Sequence, residues 1–236
     1  MNGLTAREQA PAVSAGLTQE QTRLLFVGAT MLAALVGSGI SSYLALGPKS
    51  AFVLTPTLAA SYVVYAAWTR DAFVARMIVF GLVVGFGELP ADYFGVAVNK
   101  TLVYPPDEPL IWVSPAYMPL SWMVMMLQLG TVANWLTSMW GLLKTTGALA
   151  VLGGINIPLY EMLAHNAGWW HYQNTPMFLG VTPYYVILAE VLLSLALPLV
   201  VSQVAQARGF KLVALGVAQS VWLLLTGVFA SWLVSR

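Results

Sequence analysis

The sequence predicts an all-α fold, a polytopic membrane bundle of about seven transmembrane helices. Three observations carry that prediction. Of the 236 residues, 59% are hydrophobic and 8% are charged, against about 25% charged in a soluble domain. Stretches free of Asp, Glu, Lys and Arg run over 24–48, 50–69, 109–143, 162–189, 191–207 and 212–235, and a hydrocarbon core about 30 Å thick needs roughly 20 helical residues. Most of these stretches are apolar all round and lack the alternation of barrel strands.

Helices are expected at 24–46, 51–69, 75–98, 112–135, 146–163, 183–206 and 211–234. The first ends at Gly47-Pro48-Lys49 and the second at Arg70-Asp71, breaks that a helix interior does not favour. The third follows with Arg76 near its start and stops at Asn99-Lys100. The fourth lies in the uncharged run before Lys144. The fifth is short and Gly-interrupted, with an extension through Leu143 left open. Arg208-Gly209 separates the last two. Residues 23–236 form a single transmembrane domain. Residues 1–22 are expected to be a flexible tail, since they lack the basic start and apolar core of a signal peptide.

Lys and Arg in the loops set the orientation. One side carries Arg7, Arg23, Arg70, Arg76, Lys144, Arg208 and Lys211; the other carries Lys49, Lys100 and Arg236. This places the N-terminus in the cytoplasm and the C-terminus outside, in a bacterial inner membrane. The long connections 99–111 and 164–182 then lie outside. They hold Tyr104, Trp169, Trp170, His171 and Tyr172, with Trp112, Tyr117, Tyr184 and Tyr185 at adjoining helix ends. The aromatics are either an interfacial belt or a cap over a site.

Several functions are excluded or disfavoured. Cysteine is absent, so thiolate nucleophiles and Cys-bound metals are ruled out. A net charge of +1 without a basic run argues against nucleic acid. There is no Asp-rich diphosphate motif, GxSxG, P-loop, dinucleotide fingerprint or histidine cluster. His165 and His171 are six apart, which fits no compact metal motif. No metal and no cofactor are expected.

Four acids remain to be explained: Glu88, Asp92, Glu161 and Glu190. Given the helix directions, all four fall in the outer half of the membrane, with no Lys or Arg at that depth. An intramembrane ionisable residue is a functional-site hypothesis. Unpaired carboxyls in low dielectric retain protons, and Glu88 and Asp92, four apart, share a helix face despite Pro90. Three readings stand: a Brønsted acid pair, structural hydrogen bonding, or part of a proton or ion pathway. The expected lining comprises Tyr93, Tyr117, Tyr160, Tyr184 and Tyr185, the cation-stabilising faces of Trp112, Trp122, Trp169 and Trp170, and Asn156. Gln128 and Asn134 are available as further polar partners. Carboxyls, hydroxyls and aromatic walls suit protonation of an alkene or epoxide in an isoprenoid chain, followed by cyclisation, proton loss or water capture.

The segments "GELPADYFGV", "SPAYMPLSWMVMM" and "GWWHYQNTPMFLGVTPYYVILAE" resemble blocks of the small membrane proteins that hydrate carotenoid end groups. The size and helix layout also resemble small membrane-bound terpene cyclases of meroterpenoid pathways. The resemblance covers roughly residues 75–200. It departs at Val181-Thr182-Pro183, where Val-Pro is the pattern, and at Glu190, where Trp or Asn is. It implies a protonation-initiated (class II-type) terpenoid cyclase in secondary metabolism, with Glu88 or Asp92 as acid and Glu161 or Glu190 as base or proton re-supply. The implied partners are a lipophilic isoprenoid substrate, its head group towards the loops, and membrane lipid. Rival expectations are an isoprenoid hydratase, a proton-coupled transporter and a membrane assembly subunit.

Overall fold

The computed structural model describes residues 17–234. Most of the expected tail, with Arg7 and Glu8, and Arg236 at the far end, lie outside the described residues. Seven long helices form the bundle. α1 (Gln19–Leu44) begins before the expected residue 24 because Thr18 caps it. The Thr18 hydroxyl accepts from the Gln21 amide at 3.2 Å, and the Thr18 amide donates to the Gln21 side chain at 2.9 Å, closing both ends of a capping box. α2 (Pro48–Thr69) starts on Pro48, where the missing N–H is not needed.

α3 (Ala72–Gly87) starts at Asp71, whose Oδ1 accepts from the amides of Phe73 and Val74 at 2.9 and 3.2 Å. The same carboxylate pairs with Arg23 of α1 through two N–H···O contacts of 2.8 and 3.2 Å. It is 1% exposed, and the Arg23 guanidinium lies over the Phe73 ring. Asp71→Ala therefore removes a cap and leaves Arg23 without its acceptor. The expected loss is about 3 kcal/mol of unfolding free energy. Asp71→Asn, which keeps the cap acceptor, should lose less; denaturant unfolding in detergent measures both.

The α3 ladder breaks at Pro90, which has no amide hydrogen. The chain continues through α4 (Leu89–Tyr93) and a π-helical turn, Phe94–Val98. α5 (Met118–Trp140) starts six residues later than the expected 112, because 110–115 form a hairpin. α6 (Leu142–Ala167) is longer than expected at both ends, and Gly141, at φ 78°, turns the chain between α5 and α6. α7 (Tyr184–Val204) and α8 (Phe210–Val234) complete the set.

Among the described residues, six segments are long and apolar enough to cross a membrane: α1, α2, α3 extended to Val98, α6, α7 and α8. The protein is an all-α membrane bundle. α5 packs against α1, α2, α3, α6 and α7, and Gln128 and Asn134 on it are half-buried. Tyr62, Met77, Phe80, Met123, Leu127, Leu197 and Val201 are fully buried around it.

α1, α3, α6 and α8 finish at the end of the bundle where α2, α5 and α7 start. Three short antiparallel pairs cap this end. β1 (Leu102–Val103) pairs with β4 (His171–Tyr172), joining the two long loops, and Leu102 lies opposite Tyr172. β2 (Leu110–Ile111) pairs with β3 (Ser114–Pro115), and β5 (Met177–Phe178) with β6 (Thr182–Pro183). The Gly47 amide donates to the Ala167 carbonyl at 2.8 Å, tying the α1–α2 turn to the end of α6. Beneath these hairpins Tyr117, Trp169 and Trp170 form a second buried cluster with Ala51, Leu102 and Met118.

Candidate active site

A cavity of about 400 Å³ runs from the cap into the bundle, with walls from α1, α2, α5, α6 and α7 and the α3–α4 junction. Its inner part is mostly apolar, lined by Met31, Leu58, Met125, Leu129, Val132 and Leu197, with Gln128 a polar side chain among them. Its capped end is lined by Glu88, Asp92, Glu161 and Glu190, and no Lys, Arg or His lines it anywhere. The four acids that sequence spacing brings to one depth thus face one space.

Each acid is placed by a local feature. The Pro90 break tightens the backbone so that the amides of Ala91 and Asp92 both reach the Glu88 carbonyl, at 2.6 and 3.3 Å. The two side chains, one turn apart, both line the cavity and lie within electrostatic reach of each other. Glu88 is 3% exposed. Its polar neighbours are Asp92 and the Trp122 indole, and its Oε2 has no hydrogen-bond partner. Asp92 Oδ2 accepts from the Tyr104 hydroxyl at 2.8 Å. Glu161 accepts from the Trp170 indole N–H at 2.6 Å and the Tyr172 hydroxyl at 3.2 Å. Close α6–α7 packing sets the distance to Glu190: a Cβ on Gly154 would meet Val191, and one on Gly153 would meet Ser194. Glu190, two turns along α7, lies within electrostatic reach of Glu161.

The loop tyrosines are durable donors. Burial, and then the Asp92 carboxyl, push the Tyr104 hydroxyl well above the ordinary tyrosine range. Burial, and then Glu161, do the same to Tyr172. Both keep their protons at any physiological pH and hold the carboxyls by donation.

Trp122, Tyr160, Trp170 and Asn156 line the cavity as expected. The other expected lining residues do not. Tyr93 stacks on Trp112 with centroids 4.5 Å apart, and both are exposed. Tyr184 is exposed against Phe178. Trp169 is buried in the cap, its indole N–H donating to Ser50 at 2.8 Å. Tyr117 is buried edge-on to Phe52. Tyr185 sits behind Tyr172, its hydroxyl paired with Thr101 at 2.9 Å. Tyr104 and Tyr172 take the lining positions instead. Their loop placement was visible in the sequence; which rings turn inward follows from the β1–β4 pairing, a contact between residues some seventy apart. His165 and His171 are both exposed.

Two lining residues are exposed: Leu152 and Asn156, about halfway along α6. They are the least covered part of the cavity wall, while aromatic rings pack around the capped end.

No curated protein and no solved structure matches this chain. A family model described as a domain of unknown function (DUF6989) matches residues 89–234, more than half of the sequence and inclusive of Asp92, Glu161 and Glu190. The protein belongs to that family.

Proposed function

We propose that this protein is a membrane-embedded terpenoid cyclase that starts its reaction by protonating a prenyl chain. The observation that carries this is that Glu88 and Asp92, one helical turn apart, share the wall of a largely apolar, aromatic-ended cavity without a basic side chain. Two carboxyl groups side by side in a water-poor cavity do not both ionise cheaply, so one keeps its proton. Tyr104 holds Asp92 as an acceptor, and we assign the transferable proton to Glu88, whose Oε2 is unpartnered. Glu88 is the acid and Asp92 orients it. The O–H bond of Glu88 breaks as a C–H bond forms at the terminal alkene, or an O–H bond at an epoxide. The chain closes on the cation, and a neighbouring C–H gives its proton to a carboxylate. Glu161, held by Trp170 and Tyr172 at the same end, is that base, with Glu190 beside it. The faces of Trp122 and Trp170 stabilise the cation, and exclusion of water protects it.

A cavity of about 400 Å³ lies in the roughly 300–1,000 Å³ range of small-molecule sites. It suits a short prenyl chain better than a whole carotenoid. With the acids under an aromatic cap and the exposed Leu152 and Asn156 on α6, this reading turns the substrate the other way round from the expectation above. The reacting end sits under the cap, and the rest of the chain leads out past Asn156 towards the bilayer, which delivers it. The cytoplasmic placement of the N-terminus and the bacterial inner membrane are part of this proposal.

The test is conversion of farnesylated and geranylgeranylated acceptors by membranes containing the protein, in H₂O and D₂O. A product of unchanged mass and altered retention is expected, gaining one deuterium in D₂O. A gain of water identifies a hydratase. No conversion of any prenylated compound sinks the enzyme reading in favour of transport or assembly.

A further inference from the structure

The inner part of the cavity holds a polar side chain that the mechanism above does not use. Gln128 lines it among Met31, Met125, Leu129 and Leu197. Its Nε2 is buried and makes no hydrogen bond among the described residues. A buried polar atom without a partner is rare in folded proteins. The hydroxyls nearby leave that nitrogen free. The Thr30 hydroxyl donates to the Val27 carbonyl at 2.8 Å. Its one proton is used there, so Tyr62 is the donor in the contact between the Thr30 and Tyr62 hydroxyls. The Tyr62 oxygen then has only lone pairs to offer its neighbour Gln128, which suits the nitrogen of the amide and not its oxygen. An amide nitrogen carries two hydrogens. A shift of the side chain onto Tyr62 would engage one of them, and the other is left for whatever fills the cavity.

Helix register sets its depth. A Cβ on Gly85, one turn before Glu88, would overlap the Pro119 carbonyl, which levels the start of α5 with the acid pair. Gln128 is nine residues further along α5, about 13 Å at the α-helical rise. Gly141 turns the chain between α5 and α6, so positions equally far from it on the two antiparallel helices lie at about one depth. Gln128 matches Gly154, between the exposed Leu152 and Asn156. The free amide hydrogen therefore lies well below the acids, level with the least covered part of the cavity wall.

We propose that Gln128 is a head-group subsite, its amide N–H donating to an oxygen on the substrate, so that the cavity takes an oxygen-bearing isoprenoid (an alcohol, ether or ketone) and discriminates against a bare hydrocarbon. The proposal rests on the cyclase reading and names the substrate class of the same cavity. With its oxygen held at Gln128, the chain runs along the apolar wall and brings its terminal alkene to Glu88. The remainder of the head group leaves between Leu152 and Asn156. A hydrocarbon of the same length fills the same space but leaves the amide unpaired. Sites built to hydrogen-bond a substrate group reject analogues that lack it far more strongly than apolar pockets reject a change of shape.

Infrared spectroscopy of the full chain in lipid vesicles with farnesylacetone, a prenyl methyl ketone, tests this. A ketone C=O stretch falls in frequency when its oxygen accepts a hydrogen bond. The wild type should show a lowered band beside that of ketone dissolved in lipid. Gln128→Met and Gln128→Leu should lose it, and Glu88→Gln should keep it. Read by quenching of tryptophan fluorescence, the wild type should bind farnesylacetone at least tenfold more tightly than farnesene, its hydrocarbon counterpart, and both Gln128 variants should bind the two alike. Met and Leu match Gln closely in size without a donor, and circular dichroism confirms folding. The absence of a lowered band in the wild type overturns the subsite. So does a band that survives Gln128→Met or vanishes in Glu88→Gln, and so does equal wild-type affinity for ketone and hydrocarbon. A lowered band dependent on Gln128 in a protein that converts no prenylated compound leaves the subsite standing and removes the cyclase. Conversion of prenylated compounds by a protein that shows no such band does the reverse.

Discussion

Glu88→Gln should lower conversion of a prenylated substrate at least a thousandfold, about 4 kcal/mol of transition-state stabilisation, with thermal stability unchanged within a degree or two. General acids commonly contribute 10²–10⁴-fold. The upper part of that range is expected because an alkene is a poor proton acceptor. Gln matches Glu in size, so the contacts with Trp122 and the fit beside Asp92 survive; what disappears is the transferable proton. Asp92→Asn is a sharper companion. Its amide oxygen can still accept from Tyr104, so the cap stays attached at that point. The orienting negative charge is lost, and a drop of about a hundredfold is expected. Tyr104→Phe removes only one donor and should weaken conversion less than either. Radiolabelled conversion at saturating substrate ranks the three. Full activity in both Glu88→Gln and Asp92→Asn would place the chemistry elsewhere.

How much of this was legible in the sequence follows from the reach of each signal. Long apolar runs, punctuated by Gly, Pro and charge, located the seven helices approximately, because lipid penalises charge along most of a span. The shared depth of Glu88, Asp92, Glu161 and Glu190 needed only helix directions and a rise per residue. The start of α5 was misplaced at 112 because Trp112 to Tyr117 is as apolar as a helix. The contrary signals were Pro115 and Pro119, and Trp112 turned out to occupy a positive-φ turn position. Which aromatic rings face the cavity was not legible. Tyr93 lies one residue from Asp92 yet points outward to Trp112, because successive helical residues are about 100° apart. Tyr104 and Tyr172 reach inward through strand pairings that no local pattern encodes.

Gly85→Val should be the most damaging single substitution in the membrane core. α3 and α5 form one of the closest helix pairs in the bundle, and two glycines on α3 permit it. A Cβ at Gly81 would come within 2.9 Å of the Met123 backbone, and one at Gly85 would overlap the Pro119 carbonyl. Small residues at helix interfaces are what allow such approach in a membrane, where packing rather than the hydrophobic effect draws helices together. The obstacle at Gly85 is backbone, so no rotamer change relieves it and the helices must separate. Overpacking typically costs about 1–3 kcal/mol, and the upper limit or beyond is expected here; at about 2–4 °C per kcal/mol, the melting temperature in detergent should fall by roughly 10 °C. Gly28→Ala and Gly147→Ala are the controls. A Cβ at either meets nothing within 4 Å, and replacing a helical glycine by alanine there should stabilise by about 0.5–1 kcal/mol. Gly85 lies one turn before Glu88, and Pro119 lies beside Ser121 and Trp122 of the cavity wall. A Gly85→Val protein that still folds should therefore lose conversion as well, because the wall carrying Trp122 is pushed away from the acid it contacts. A variant that keeps both its melting temperature and its activity would show that α3 and α5 do not meet at this point.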